Sequence, residues 1–180
     1  MKKILAFAGS NSSTSINHQL VTFAASQIKD HQVKVIQLTD FELPMFSEDI
    51  EKEKGFSSNL ELLNKEFETV DGIIISVNEH NGMVSGFYKN TNDWLSRINR
   101  DFLKNKKVLV MSSSPGARGA SSALAYTTST LPRFGAEITD SFSFPSFYDN
   151  FSSEEKKITT ASLSEAFDLV LQNFVAQLNE

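Results

Sequence analysis

Four short apolar runs punctuate the chain: Lys3–Ala8, Val33–Leu38, Gly72–Val77 and Lys107–Ser112. Runs of this length without strict alternation predict strands buried on both faces. Between them, apolar residues fall at helical spacing: Leu20, Phe23, Ala24 and Ile28, then Leu60, Leu63 and Phe67, then Trp94, Leu95 and Ile98. A last helix carries Leu163, Phe167, Val170, Leu171, Phe174 and Leu178 on one face, and Ser152 or Ser153 ahead of Glu155 reads as its capping signal. A fifth strand is expected within Glu137–Phe144, where Ile138, Phe142 and Phe144 share one parity and polar residues take the other. That pattern suits an edge strand. Strands alternating with amphipathic helices are the mark of βαβ units, hence an α/β fold with a parallel sheet covered on both faces.

At 180 residues the whole chain, 1–180, reads as one domain. Lys2 and Lys3 ahead of an apolar stretch resemble the start of a signal peptide, but the stretch is short and runs into a polar loop, so it reads as a buried first strand. No apolar run approaches the length that spans a bilayer, so a soluble protein with no membrane partner is expected. The net charge of −5, with Lys and Arg scattered among acids, argues against a nucleic-acid partner. The absence of cysteine excludes disulfides, iron–sulfur clusters and cysteinyl-flavin linkages, and fits a cytoplasmic setting. The connection Thr39–Gly55 is long and acidic around the apolar stretch Phe41–Phe46. Such a connection suits a lid, a subunit contact or a loop folded onto its own core.

Ligands of open parallel sheets bind beyond the carboxyl ends of the strands, where strand order reverses. The loops after strands one, three and four are all polar, small and Gly-containing. The first, Gly9-Ser10-Asn11-Ser12-Ser13-Thr14-Ser15-Ile16-Asn17, leads hydroxyl and amide side chains into a helix start. Unpaired N–H groups and the positive dipole end there make a phosphate cradle. The second, Asn78-Glu79-His80-Asn81-Gly82, can lay backbone amides and an imidazole against a planar ring. In the third, Ser112-Ser113-Ser114-Pro115-Gly116-Ala117-Arg118-Gly119, two glycines permit close backbone approach and Arg118 can meet an anion. Plainer roles also fit each loop: a redundant N-cap, an ordinary turn with a partly exposed His, and a Pro-Gly turn with a solvated Arg.

A triphosphate P-loop is excluded by the missing Gly-Lys-Ser/Thr, and a dinucleotide fingerprint by the missing second and third glycines. Ser85 lacks nucleophile-elbow spacing, and all three histidines, His18, His31 and His80, precede it. No His pair has ligand spacing, so no metal is expected.

These motifs resemble those of the NAD(P)H-dependent FMN reductases, a group that includes quinone, azo-dye and chromate reductases. Gly9, Ser10, Ser15 and Asn17 match the family's Gly-Ser-x-Arg-x-x-Ser-x-Asn. Glu79, Asn81, Gly82, Lys89, Asn90, Asp93 and Trp94 match Pro-Glu-Tyr-Asn-Gly-Ser with its following Lys-Asn-x-x-Asp-Trp helix. Ser114, Gly116 and Gly119 match Ser-x-Gly-x-x-Gly. The resemblance implies a flavodoxin-like three-layer sandwich with a five-stranded parallel sheet in order 2-1-3-4-5. It also implies FMN as cofactor, with NADPH or NADH as donor. Ser10, Ser12, Ser15, Ile16 and Asn17 would take the phosphate. Asn78, Glu79, His80, Asn81 and Gly82 would lie against the ribityl chain and ring. Ser114, Gly116 and Gly119 would border the pyrimidine end. Arg118 falls on no motif position of the family and is instead a candidate, from its charge, for contacting the phosphate of the nicotinamide nucleotide.

The implied reaction passes electrons from NAD(P)H to a quinone, free flavin or similar small acceptor. The flavin carries the chemistry and no protein side chain is assigned as catalytic. A one-electron flavin carrier or a non-catalytic flavin-binding module is the rival reading. By resemblance, a homodimer or homotetramer is expected. Three positions depart from the family: Ser12 replaces Arg, Asn78 replaces Pro and His80 replaces Tyr. Without that Arg, charge-assisted hydrogen bonds of about 1.5–3 kcal/mol each and a helix terminus giving roughly 0.3–1 more would still support roughly micromolar FMN binding.

Overall fold

Parallel pairing organises residues 1–180, all of which the computed structural model describes. Strands β1 (Lys3–Ala8), β2 (Gln32–Val35), β3 (Gly72–Val77), β4 (Lys106–Ser113) and β5 (Ala136–Phe144) form one sheet in the order β2-β1-β3-β4-β5. This is the flavodoxin-like order. Helices α1 (Ile16–Gln27), α2 (Glu48–Lys54), α3 (Ser58–Glu68), α4 (Gly86–Ile98), α5 (Ser121–Thr130) and α6 (Ala161–Leu178) complete it. None is long and apolar enough to cross a membrane.

Period-two alternation assigns the side chains of the central strands to two cores. Leu5, Phe7, Ile73, Ile75, Val108 and Val110 face one cluster, closed by Leu60, Leu63, Phe67, Trp94, Leu95 and Ala123 of α3, α4 and α5. Ile4, Ala6, Ile74, Leu109 and Met111 face the other, closed by Leu20, Val21 and Ala24 of α1 and by Phe167, Leu171, Phe174 and Leu178 of α6.

Three sequence expectations change. The second strand is shorter than Val33–Leu38 and lies at a largely exposed edge. Its apolar run continues because Ile36 and Leu38 bury themselves beyond the strand, where Leu38–Asp40 tightens into a 3-10 turn. The shared parity in β5 does not put Ile138, Phe142 and Phe144 on one face. The register shifts between Val108 and Leu109, so that Thr139 has no opposite partner. Ile138 therefore packs in the first core and Phe142 and Phe144 in the second. Finally, Ser152 does not cap the last helix. Its Oγ accepts from Glu155 N–H at 3.1 Å within a small hairpin, Phe151–Ser152 against Lys157–Ile158, and α6 starts only after Thr160.

The long connection folds onto its own core. Phe41, Leu43 and Phe46 pack against the first cluster. Pro44 O accepts from Trp94 Nε1 at 2.7 Å and from Asn90 Nδ2 at 3.0 Å, while Phe46 N–H donates to Asn90 Oδ1 at 2.7 Å. The Lys-Asn-x-x-Asp-Trp helix thus holds this strap, with Lys89 and Asp93 paired at 2.6 Å one turn apart. A free apolar contact face is not formed; among the strap's large apolar side chains only Met45 is well exposed. Apart from Asp40 and Glu42, its acids belong to α2, where Glu48, Asp49 and Glu51 occupy the first turn and Lys52 and Lys54 the last, complementing the helix dipole.

One buried side chain gathers the carboxyl ends of the strands. Asn17, 2% exposed on α1, accepts at Oδ1 from Ser76 Oγ at 2.7 Å and from Ser113 N–H at 2.9 Å. Its Nδ2 donates to Ser113 O at 3.1 Å. It therefore joins α1 to the ends of β3 and β4.

Asn17→Ala is expected to lower the unfolding free energy by about 3 kcal/mol, since each buried polar group left unpaired costs about 1–3 kcal/mol. A shift of the urea midpoint at unchanged slope measures this, and a loss below about 1 kcal/mol would contradict the tie. Asn90→Ala is expected to cost about 1–3 kcal/mol and to open residues 41–54 to proteolysis without altering the far side of the sheet.

Candidate cofactor site

At the carboxyl end of β1, Ser15 caps α1 by accepting from His18 N–H at 3.1 Å. The backbone N–H groups of Ile16 and Asn17 find no acceptor within the protein. The preceding loop satisfies itself with its own hydroxyls: Ser10 Oγ accepts from Ser12 N–H at 3.2 Å and Ser12 Oγ from Thr14 N–H at 3.3 Å. These weak local bonds leave the same hydroxyls available to a stronger acceptor.

Beyond β3, Glu79–His80 and Met83–Val84 pair as a two-residue-loop hairpin. Asn81 (φ 52°) and Gly82 (φ 77°) both take positive φ, the conformation of a type I′ turn, which explains Asn-Gly at these positions. The Glu79 carboxylate turns away from the hairpin and accepts from Ser122 N–H at 2.9 Å and Ala123 N–H at 3.1 Å. It caps α5, whose own N-cap residue, Ala120, has no side-chain acceptor. His80 Nε2 lies 3.1 Å from Asn78 Nδ2, and Asn78 Oδ1 is buried without a partner.

The third loop is held from beneath. Ser112 Oγ donates to Gly119 O at 2.6 Å and Ser113 Oγ to Phe144 O at 3.0 Å. Gly119 (φ 55°) has no room for a side chain, because a Cβ would come within 3.0 Å of the Phe144 carbonyl carbon and Pro145 N. A one-turn helix, Phe147–Asn150, hangs from this loop through Ser146 N–H to Gly116 O at 3.0 Å and Phe147 N–H to Ser114 O at 3.1 Å. Phe147 is fully buried as its anchor, which leaves Tyr148 69% exposed at the rim.

The three loops enclose a cleft of about 380 Å³. Of the residues expected from sequence, Ser10, Ser12, Ser15, Ile16, Asn17, Asn78, Glu79, His80 and Ser114 line it. Asn81, Gly82, Gly116 and Gly119 shape the backbone around it without forming its wall. Arg118 lies outside, its Nη2 donating to Ser122 Oγ at 2.9 Å. Ser113, Pro115 and Tyr148 join the wall in addition. Tyr148 follows the fifth strand, whose carboxyl end is on the same edge of the sheet as the other loops.

No Lys or Arg lines the cleft. Whatever anion enters meets only hydroxyls, amides and the positive end of α1. Ser85 is no nucleophile: its Oγ donates to Gly9 O at 2.7 Å and accepts from Tyr88 N–H at 3.1 Å, capping α4. Burial pushes the phenol of Tyr88 well above its ordinary pKa, so it stays neutral. The free N–H pair of Ile16 and Asn17 suits a phosphate. The open space at Gly82, where a Cβ would touch nothing within 4 Å, lets a planar group approach the hairpin backbone. The residues present therefore fit FMN.

Residues 2–149 match the family model of NADPH-dependent FMN reductases. The chain is 37% identical over 78 residues to a quinone reductase of Escherichia coli (strain K12), a match spanning 43% of this chain and only 42% of that protein. It is 30% identical over 125 residues to NADH-dependent flavin reductase subunit 2 of Lactobacillus johnsonii, covering 67% of this chain and 65% of the relative. Among solved structures, the flavoenzyme NAD(P)H:(acceptor) oxidoreductase FerB of Paracoccus denitrificans superposes with a TM-score of 0.81 at 21% identity, over 99% of this chain and 98% of that one. That likeness carries the fold, and the family match carries the kinship: the chain belongs to the NADPH-dependent FMN reductase family.

Proposed function

We propose that the chain is an FMN-dependent oxidoreductase that moves electrons from NADH or NADPH to a quinone, a free flavin or a similar small acceptor. The observation that carries this reading is the convergence of three loops on one cation-free cleft, with the unpartnered N–H groups of Ile16 and Asn17 at one end. Those N–H groups and the hydroxyls of Ser10, Ser12 and Ser15 bind the phosphate. The backbone of Asn78–Gly82 flanks the ribityl chain and ring, and Ser114–Gly116 borders the pyrimidine side. FMN, when bound, supplies a redox centre that accepts hydride from a nicotinamide and returns the electrons to an acceptor. The side chain of Asn17 acts by positioning, because its bonds join the loops. Glu79 positions α5 in the same manner. Tyr148 offers an exposed aromatic face at the rim, where a flat donor or acceptor enters. The names of the relatives, quinone reductase and flavin reductase, support a small aromatic acceptor.

Protein reconstituted with FMN is expected to oxidise NADH or NADPH steadily in the presence of excess quinone. Oxidation that stops at one equivalent per bound flavin would instead identify a carrier. Arg118→Ala is expected to raise KM for NADPH about tenfold while leaving KM for NADH within about twofold, as loss of one charge-assisted hydrogen bond implies. Equal effects on the two donors would remove Arg118 from the donor site.

A further inference from the structure

The two hairpin positions that depart from the family pattern, Asn78 and His80, touch each other. Residues two apart on an extended strand share a face, and here that sets Asn78 Nδ2 3.1 Å from His80 Nε2. Glu79 between them has the opposite parity, so its carboxylate leaves for α5. Asn78 and His80 both line the cofactor cleft. His80 is exposed, whereas Asn78 Oδ1 is buried and has no hydrogen-bond partner.

This contact decides how the ring carries its protons. With the carboxamide nitrogen donating, Nε2 of the neutral imidazole accepts and the ring proton sits on Nδ1. The orientation leaves a carbonyl oxygen buried and unpaired in the cleft wall, a costly arrangement that native structures rarely keep without a role. Turned by half a rotation, the same carboxamide presents Oδ1 to the Nε2–H of an imidazolium. One amide atom is unpaired either way, so Asn78 serves both protonation states and locks the ring in neither. A carboxylate in its place would favour the imidazolium, and a lysine the neutral ring. A ring balanced in this way gives up a proton and takes it back.

The cleft wall carries three titratable side chains, Glu79, His80 and Tyr148. Glu79 is bound at the start of α5. Of the three side-chain types, only imidazole exchanges its proton near neutral pH. The elements around the hairpin bring no rival partner to the ring. Helix α5, which packs on the hairpin, has Tyr126 as its only titratable group. Arg118 is held by Ser122 Oγ and Lys89 by Asp93, while Asp149 is exposed beside Tyr148.

We propose that His80 is the acid that protonates the electron acceptor, and that Asn78 is its positioning residue. The proposal rests on the oxidoreductase reading given above. NADH or NADPH gives up a hydride, two electrons with one proton, and becomes NAD+ or NADP+. A quinone that has gained a hydride is an oxyanion one proton short of the hydroquinone. His80 fills this deficit: an N–H bond of its imidazolium breaks, an O–H bond forms on the acceptor, and a neutral imidazole remains. Because His80 is exposed, water returns the proton to it. One reduced donor, one proton and one quinone thus become one oxidised donor and one hydroquinone.

Two acceptors and one spectroscopic measurement test the proposal. FMN-reconstituted protein is reduced with NADH and mixed, without oxygen, with a quinone, which needs a proton, or with ferricyanide, which needs none. His80→Gln is expected to lower the ratio of the quinone rate to the ferricyanide rate by at least about tenfold, below the usual worth of a general acid because water reaches an exposed ring. Asn78→Ala is expected to lower the same ratio several-fold. Nitrogen NMR of the flavin-free protein, at a pH where the imidazole is neutral, is expected to find the His80 proton on Nδ1, and on Nε2 in Asn78→Ala. An unchanged ratio in His80→Gln, a ratio lowered by Tyr148→Phe in its place, or an Nε2 proton in the unaltered protein overturns the assignment. Failure to bind FMN or to take electrons from NADH would instead overturn the oxidoreductase reading, and this proposal with it.

Discussion

The carboxamide of Asn17 is the constraint on which the site depends. Parallel strands align their carboxyl ends, but alignment alone does not bring the loops beyond them into one rigid wall. A single buried amide does so here by bonding β3 at Ser76 and β4 at Ser113, 59 and 96 residues further along the chain. Because the bonds lie out of water, each is worth more than on the surface and more costly to lose. Ser85 adds a second tie, from the start of α4 back to Gly9. Glu79 adds a third, from the hairpin to the start of α5. The polar residues that look most like ligands in the sequence thus include several whose side chains are spent on geometry.

What remains for a ligand is mostly backbone. The N–H groups of Ile16 and Asn17, the hydroxyls of the Ser-rich loop and the helix dipole form a cradle with no formal charge. Such a cradle is preorganised, because its donors are fixed by the helix and need no ordering when an anion arrives. The proposed flavin chemistry asks little else of the protein, since a bound flavin brings its own reactivity. Position and exclusion of water are the contributions left to the fold.

Most of the architecture was legible in the sequence because the central strands bury both faces and so leave unbroken apolar runs. Legibility failed where one residue changed the geometry. The unpaired Thr139 reversed the face of everything after it in β5, and a Ser-x-x-Glu spacing at Ser152 capped a hairpin turn in place of a helix. The candidate site was legible as three loops, from Gly and hydroxyl content next to buried strands. The division of labour within it was not, because spacing cannot tell whether the carboxylate of Glu79 points at a ligand or at α5. Tyr148 was hidden for a different reason: it reaches the cleft only through the backbone bonds of Ser146 and Phe147 to the third loop.

The central claim is that a phosphate is held by neutral donors at the start of α1. The most direct measurement compares FMN with riboflavin by fluorescence-quenching titration of the flavin-free protein, at low and at high salt. The account predicts that FMN binds near the micromolar range and at least about tenfold more tightly than riboflavin, with the difference changing little as salt rises, because no lysine or arginine takes part. Equal binding of the two flavins, or no quenching by either, would contradict it.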